Sequence, residues 1–323
     1  MYFCILNYNW QKMRGIVTKS TGNWYEVRTE EGTTLLCRLR GQFRIKGIKT
    51  TNPVVVGDRV SFIIEKDNSG YITHIEPRTN YIERKSTKLS KISHLISANI
   101  DLAFLVVTLK EPTTSLGFID RFLIAAESYR ISVCLIFNKI DLYNVQETAI
   151  LAEWQQLYEA VGYQTLQTSV PDMIGIEKLK NLICRKVSLF SGHSGTGKSA
   201  LINAIDPNFK LKIGAISNYH NKGMHTTTFT QMYPVSTGGY IIDSPGIKEF
   251  GLIQYSKAEI RDYFPEIRAY NNCCKFQNCL HLHEPDCAVR QAAREGKIAL
   301  SRYTNYLAIL QDKDLNLADW QLR

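Results

Sequence analysis

A glycine-rich loop at residues 192–199, GHSGTGKS, stands between an apolar stretch, KVSLF, and a helix-like stretch, SALINAI. This context is typical of a phosphate-binding loop, because backbone N–H groups at a helix N-terminus point at phosphate oxygens. In such a loop Lys198 reaches the β- and γ-phosphates, and the Ser199 hydroxyl can ligate Mg²⁺. The loop therefore predicts an α/β domain that binds a nucleotide.

A second motif, NKID at residues 138–141, closes the apolar stretch SVCLIFN. Asp141 can accept hydrogen bonds from the N1–H and exocyclic amine of guanine, a pair of donors that adenine does not present together. Asn138 can bond the O6/N7 side of the base and hold the neighbouring loop, while the Lys139 stem can cover the ring. With the phosphate loop, this motif indicates GTP and GDP as the ligands.

The third element is DSPG at residues 243–246, after the strand-like YIID. Asp243 would hold Mg²⁺ through water, and the Gly246 N–H would contact the γ-phosphate. The threonines 226–228 follow KGMH, and one of their hydroxyls is expected to ligate Mg²⁺, although a solvated start of the strand TFTQMYPV would look similar. The predicted nucleotide-binding residues are Asn138, Lys139, Asp141, Ser169, Gly192, His193, Ser194, Gly195, Thr196, Gly197, Lys198, Ser199, Ala200, Thr227, Thr228, Asp243 and Gly246.

The order of these motifs is inverted, because in ordinary GTPases the phosphate loop comes first and the guanine motif last. From Asp101 onward, apolar strand patterns alternate with amphipathic helix patterns, which predicts a mostly parallel sheet. We therefore expect a circularly permuted P-loop GTPase domain over residues 79–254.

The N-terminal residues 1–78 contain about five short strand patterns separated by turn signals, which predicts five antiparallel strands. They suit a small OB-like β-barrel, and an SH3-like barrel would fit almost as well. The stretch CRLRGQFRIKGIK carries five cations with Phe43 among them, a pattern that suits RNA: Arg38, Arg40, Arg44, Lys46 and Lys49. The RNA-binding surface could extend to five further cations, which could equally be ordinary surface charges: Lys85, Lys88, Lys91, Arg290 and Arg294.

The polar stretch from Arg78 to Ala98 has no clear period and is interpreted as a linker.

Four of the eight cysteines crowd into residues 273–287, within a C-terminal helical module expected over residues 255–323. Crowding of this kind in a reducing compartment argues for a metal. Cys274, Cys279, His281 and Cys287 can form a closed tetrahedral Zn²⁺ site, which would be structural. Cys273 and His283 compete with Cys274 and His281 for ligand roles.

The formal net charge of +9 suggests a polyanionic partner, with nucleic acid as the first candidate. The sequence has no apolar stretch of the roughly 20 residues that cross a bilayer, and its start has no basic leader or cleavage site. A cytoplasmic protein without a membrane partner is therefore expected.

The order of NKID, GHSGTGKS, GMHTTT and DSPGIKEFGL, with the later cysteine pattern, resembles the circularly permuted ribosome small-subunit-dependent GTPase A (RsgA) family over nearly the whole chain. The resemblance implies a bacterial-type late assembly factor that binds the small ribosomal subunit, hydrolyses GTP when stimulated by it and then leaves. With the resemblance, ribosomal RNA is the expected contact of the basic stretch. We expect a monomer. The resemblance favours Cys274 and His281 as zinc ligands over their neighbours. It suggests His225 as the candidate for positioning water, since the apolar Ile247 follows DSPG where Ras-like enzymes carry glutamine. From its place in the phosphate loop, Lys198 is expected to be the other catalytic residue. Met224 departs from the arginine common in similar proteins, so it has no charge role.

Two other functions remain open from the residues. The chain could be an RNA-binding assembly module in which hydrolysis is incidental. An ATP-dependent small-molecule kinase is disfavoured by the guanine motif at Asn138 to Asp141.

Overall fold

The computed structural model describes residues 12–39, 53–65, 69–84, 94–209, 230–243 and 255–311. Their contacts divide the chain into two compact units. The first contains the described residues up to Ile100 with 230–234 and 241–243, and the second contains those of 101–209, 235–240 and 255–311. Among the described residues, every helix is too short or too polar to cross a bilayer.

The first unit is built on five strands: β1 (Lys12–Ser20), β2 (Tyr25–Thr29), β3 (Thr34–Leu39), β4 (Arg59–Ile64) and β5 (Gly70–Ile75). The strands pair in the order β1-β2-β3-β5-β4, and β4 returns to pair with β1, so the sheet closes into an OB-like barrel. The five predicted strands are confirmed, but β3 and β5 run parallel rather than antiparallel. The inward-facing side chains that alternate along these strands form a core with Val54 of the segment before β4. The core residues are Val17, Tyr25, Val27, Cys37, Val54, Val60, Phe62 and Ile72.

The stretch interpreted as a linker contains a β-hairpin, formed by β6 (Tyr81–Arg84) and β7 (His94–Ala98). The C-terminal end of the hairpin is hydrogen-bonded to a turn of the barrel. The Ala98 N–H donates to the Val56 carbonyl at 2.9 Å, and Asn99 Nδ2 donates to the Gly57 carbonyl at 3.0 Å. Just before β6, Arg78 donates to both oxygens of the fully buried Asp58 at 2.7 Å. The interpretation as a linker rested on polar composition and is wrong, because these polar groups form hydrogen bonds within the first unit.

The second unit begins with a sheet of four parallel strands in the order β10-β9-β8-β11. These are β8 (Leu102–Val107), β9 (Val133–Asn138), β10 (Gln164–Thr168) and β11 (Val187–Ser191). The helices that follow the strands are α1 (Leu116–Ser128), α2 (Val145–Ala160), α3 (Ile176–Ile183) and α4 (Lys198–Ile205). β8 and β9 are buried along their whole length, as expected of central parallel strands, so the alternation predicted from the sequence is confirmed.

Four shorter helices form a C-terminal module in the same unit: α5 (Lys257–Asp262), α6 (Pro265–Asn271), α7 (Ala288–Arg294) and α8 (Leu300–Leu310). The helical region after Cys287 is divided at Gly296, whose φ of 71° is left-handed. Ile124 of α1 packs in the core of this module with Phe264 and Tyr306, so α1 belongs to both parts of the unit.

Two further strands are β12 (Gln231–Pro234) and β13 (Tyr240–Asp243), and β12 pairs with β1.

Candidate functional site

The phosphate-binding loop connects β11 to α4, as the sequence predicts. Gly192 and Gly197 have φ values of 138° and 92°, which L side chains rarely adopt. At both positions a Cβ would also overlap a neighbour, the Val106 carbonyl oxygen at Gly192 and Asn138 Nδ2 at Gly197. These glycines let the loop turn tightly against the ends of the adjoining strands.

Lys198 is the first residue of α4, and its side chain folds back along the loop. Its Nζ donates to the carbonyls of Gly192 at 2.8 Å and His193 at 2.5 Å, and the side chain is nearly buried. The adjacent Ser199 is 6% exposed. An ammonium beside loop amides at a helix N-terminus creates a region of positive potential that suits the phosphates of a nucleotide.

Asn138 joins the guanine motif to the phosphate-binding loop. Its Nδ2 donates to the Thr196 carbonyl at 2.8 Å, and its Oδ1 accepts from the Thr168 hydroxyl at 2.8 Å. Asn138 and Thr196 are 58 positions apart in the chain, yet the amide is only 2% exposed. The two motifs therefore share one site, even though their order in the chain is inverted.

The rest of the guanine motif is more open. Lys139 has a left-handed φ of 63°, and its Nζ donates to the Glu111 carbonyl at 2.5 Å. Asp141 lies exposed on a short 3-10 turn, Ile140–Leu142. An exposed carboxylate after a buried strand end is available to accept from a purine.

Ser169 follows β10, next to Thr168 on the strand that pairs with β9. Its hydroxyl donates to Asp172 Oδ2 at 3.0 Å and accepts from the Asp172 N–H at 3.3 Å. This turn places the buried Ser169 beside the end of the strand that carries Asn138. Thr168 was missed from the sequence, where the only available signal was a hydroxyl at the end of the strand next to the guanine motif.

The remaining residues of the loop differ in exposure. Ser194 and Gly195 are exposed, Ala200 is half-buried, and the buried Thr196 hydroxyl donates to the His193 carbonyl at 3.0 Å. The His193 ring stacks on Phe118 of α1 with centroids 3.9 Å apart. Burial and the nearby Lys198 lower the pKa of His193, so its imidazole is neutral at pH 7.

Several predicted residues lie, wholly or by their side chains, outside the part of the chain that the structure describes. Asp243 ends β13, but its side chain lies outside the described residues. His225, Thr226, Thr227, Thr228, Gly246, Arg40, Phe43, Arg44, Lys46, Lys49, Lys85, Lys88 and Lys91 also lie outside them.

A second constellation lies in the C-terminal module, where the four predicted metal ligands converge. The ligand atoms of Cys274, Cys279, His281 and Cys287 lie within 4.8 Å of one another. His281 Nδ1 is 3.6 Å from Cys274 Sγ and 3.3 Å from Cys287 Sγ, and the two sulfurs are 3.9 Å apart. The competing Cys273 is exposed, as is His283.

These distances fit a tetrahedral cation. Zn²⁺ with ordinary bond lengths separates two thiolates by about 3.8 Å and a thiolate from an imidazole nitrogen by about 3.6 Å. Burial, with Arg261 nearby, lowers the pKa of His281 to about 4, so the imidazole is neutral and its nitrogen can ligate. Burial also raises the pKa of Cys279 to about 12, so its thiol is protonated at pH 7 unless a cation replaces the proton. The chemistry of this donor set fits zinc.

On the barrel, Arg38 stacks over Trp24 with its guanidinium carbon 3.6 Å from the ring centroid. Arg38 is exposed and Trp24 is half-buried. Trp24 was not among the predicted RNA-binding residues, although an aromatic one strand away from a basic stretch is the expected signal. In the C-terminal module Arg294 is exposed, whereas Arg290 Nη1 donates to the Glu284 carbonyl at 3.2 Å.

Comparison with known proteins shows the family of this chain. The sequence-family model described as RsgA GTPase matches residues 75–253. The family model described as RsgA N-terminal domain matches residues 14–72. The chain belongs to the RsgA GTPase family. A relative from Bacteroides thetaiotaomicron, described as small ribosomal subunit biogenesis GTPase RsgA 2, is 51% identical over 302 residues, which cover 94% of this chain and 97% of the relative. The RsgA protein of Porphyromonas gingivalis, described as a small ribosomal subunit biogenesis GTPase, is 48% identical over 307 residues, covering 94% and 98%.

Two solved structures resemble this RsgA chain over almost its full length. YjeQ from Thermotoga maritima is 35% identical with a TM-score of 0.78, and the match covers 93% of this chain and 98% of that one. YloQ, described as a circularly permuted GTPase, is 28% identical with a TM-score of 0.74, and the match covers 95% and 96%. The predicted family and architecture are confirmed: an OB-like barrel, a circularly permuted GTPase domain and a C-terminal module with a candidate metal cluster.

Proposed function

We propose that this chain is a GTP hydrolase that binds the small ribosomal subunit and acts as a switch late in the assembly of that subunit. The observation that carries the proposal is the bond from Asn138 Nδ2 to the Thr196 carbonyl, since it joins a guanine-reading motif to a phosphate-binding loop. The names of the RsgA relatives, small ribosomal subunit biogenesis GTPases, support the partner.

The site residues named in the sequence analysis have distinct roles in this proposal. Asp141 reads the guanine edge, Ser169 and Lys139 flank the base, and the loop from Gly192 to Ala200 holds the phosphates. Lys198 leaves its carbonyl partners for the β- and γ-phosphates when nucleotide binds, and stabilises the charge that develops during hydrolysis. Ser199, one of the threonines 226–228 and, through water, Asp243 would hold Mg²⁺, which would neutralise phosphate charge. His225 positions the attacking water, and Gly246 contacts the γ-phosphate.

The C-terminal cluster holds one structural Zn²⁺ through Cys274, Cys279, His281 and Cys287. Four protein ligands leave no open position for a reactive water, so the ion stabilises the fold of a module too small to rely on its own core. The barrel, with Arg38 stacked on Trp24, contacts ribosomal RNA. We assign the barrel to residues 1–78, the GTPase domain to residues 79–254 and the C-terminal module to residues 255–323. We expect a cytoplasmic monomer.

GTP turnover with and without purified small subunits tests the proposal. We expect strong stimulation by subunits and a loss of about 100-fold or more in the Lys198→Ala variant. The exposed Lys178 supplies the matched control, because Lys178→Ala removes a lysine charge outside the loop and the guanine motif and should leave turnover unchanged. Equal turnover with and without subunits would contradict the proposed partner.

The alternative of an RNA-binding module with incidental hydrolysis also draws on the Arg38–Trp24 stack. The two functions differ in what hydrolysis accomplishes. If hydrolysis drives release, Ser199→Ala protein should stay bound to subunits after GTP is added, as judged by sedimentation. Release equal to that of the unaltered protein would favour the alternative.

A further inference from the structure

The imidazole of His281 offers two nitrogens, and only one faces the thiols. Nδ1 lies 3.6 Å from Cys274 Sγ and 3.3 Å from Cys287 Sγ. Nε2 points the other way and lies 2.8 Å from Oδ1 of Asn271, the last residue of α6. The ring is completely buried, so this contact fixes its orientation.

The orientation of the Asn271 amide is itself determined. Its Nδ2 lies 3.1 Å from Oδ1 of Asp262, an oxygen that also accepts from Arg261 Nε at 3.2 Å. A carboxylate can only accept hydrogen bonds, so the amide nitrogen must face Asp262 and the amide oxygen must face His281. A carbonyl oxygen also only accepts, so His281 Nε2 must carry the proton.

We infer that Asn271 is a positioning residue of the metal site, which holds His281 as the Nε2–H tautomer so that the Nδ1 lone pair faces the cation. Asp262 acts one step further out by orienting Asn271. The inference rests on the proposed zinc site and adds to it a residue outside the four ligands.

The arrangement has an energetic consequence. A metal-binding histidine whose second nitrogen donates to an oxygen acceptor has its tautomer and ring orientation set in advance. Loss of such a partner weakens metal binding by about 10- to 100-fold.

The test compares Asn271→Leu with Asn272→Leu in the full-length protein. Asn272 is the exposed next residue, so its replacement is a matched control with the same change in side chain. Zinc affinity is measured by competition with a chromophoric chelator, and the His281 tautomer by ¹⁵N NMR of histidine-labelled protein. We expect 10- to 100-fold weaker zinc binding and loss of the Nε2–H signal pattern in Asn271→Leu, and neither change in Asn272→Leu.

A double variant separates positioning from a general packing role. In Asp262→Asn/Asn271→Asp the donor and acceptor of the pair are exchanged, so an acceptor oxygen still faces His281 Nε2. Arg261 Nε loses its bond to residue 262, but Arg261 Nη1 keeps its bonds to the Gln277 and Cys279 carbonyls. Zinc affinity should return to within about threefold of the unaltered protein, whereas Asn271→Asp alone places two carboxylates 3.1 Å apart and should bind zinc more weakly. If Asn271→Leu does not fold, this pair of variants decides the question.

The outcomes separate the two proposals. If the unaltered protein binds zinc and the Asn271→Leu variant binds it with the same affinity and the same His281 tautomer, only the role of Asn271 is overturned. Failure of the double variant to recover zinc affinity also overturns it. Unaltered protein that takes up no zinc overturns the metal site and, with it, the positioning role.

Discussion

Gly197 has no room for a side chain, because its α-carbon faces the amide nitrogen of Asn138. The same amide is held by the Thr168 hydroxyl and the Thr196 carbonyl, so it cannot move aside without losing both hydrogen bonds. At the scale of single residues, the connection between base recognition and phosphate binding therefore depends on the absence of one methyl group.

Gly197→Ala should accordingly weaken GTP binding by tenfold or more. Gly162→Ala is the matched control, since Gly162 also has a positive φ, 101°, but has no atom within 4 Å of the position that a Cβ would take. Both variants should lose about 1–2 kcal/mol of stability from the left-handed backbone. Only Gly197→Ala should lose affinity in a fluorescent-nucleotide titration, and equal affinities would contradict the steric argument.

Asp206, just after α4, connects two turns through its carboxylate. Although burial alone would raise the pKa of Asp206, hydrogen bonds from the backbone N–H groups of Ser236 and Asn208 lower it below its usual value. A lowered pKa in the folded state means that the carboxylate stabilises the fold above about pH 4, and that this contribution is lost as pH falls through the folded-state pKa.

Asp206→Asn should cost about 1 kcal/mol at pH 7, because the asparagine is a weaker acceptor. The difference from the unaltered protein should shrink as the pH approaches 3. Urea unfolding at both pH values checks this, and a difference that stays constant with pH would show that the carboxylate charge is not responsible.

At the scale of secondary-structure elements, a buried ion cluster fastens the C-terminal helices to α1. Arg302 of α8 donates to Asp120 of α1 at 2.5 Å and to Glu266 of α6 at 2.6 Å, and Asp120 also accepts from Tyr158 and Asn305. The Arg302 side chain is 2% exposed and that of Asp120 is fully buried. Removing one partner from such a cluster leaves buried charges unpaired.

Arg302→Met should therefore destabilise the protein by about 3–5 kcal/mol in denaturant unfolding. The exposed Arg294, on the neighbouring α7, provides a control in which the same substitution should cost less than about 0.5 kcal/mol. A small effect of Arg302→Met would mean that water reaches Asp120 and that the cluster is not dry.

The sequence predicts elements well when their signal is local. The phosphate loop needs only a strand, glycines and a helix start in succession, and NKID needs only the end of a buried strand. The ion cluster could not be predicted, because Asp120 and Arg302 are 182 positions apart and each looks like an ordinary surface charge on an amphipathic helix. The hairpin β6–β7 was missed for a related reason, since its stability comes from bonds to the barrel rather than from an alternating apolar pattern.

At the scale of the whole molecule, the C-terminal module and the GTPase domain share a core. Ile124 of α1 packs with Cys279, Cys287, Phe264 and Tyr306, so a change at the metal cluster reaches a helix that also contacts the phosphate loop through Phe118 and His193. Loss of the metal is therefore expected to affect more than the module.

Cys274→Ser should lower the melting temperature by about 10 °C in the presence of zinc, as expected when about 4 kcal/mol of ligand stabilisation is lost. Cys273→Ser alters the exposed neighbour and should leave the melting temperature unchanged. Differential scanning fluorimetry with added zinc or chelator measures both, and equal melting temperatures for the two variants would argue against a metal-dependent fold.

The ion cluster also has a consequence for how the chain is made. The 182 positions between Asp120 and Arg302 take a ribosome about 10–40 s to translate at 5–20 residues per second. During that interval the Asp120 carboxylate has neither its arginine nor its asparagine partner, so water must solvate it and α1 cannot settle into its native surroundings. The nucleotide-binding half of the newborn chain must wait for α8 before its folding can finish.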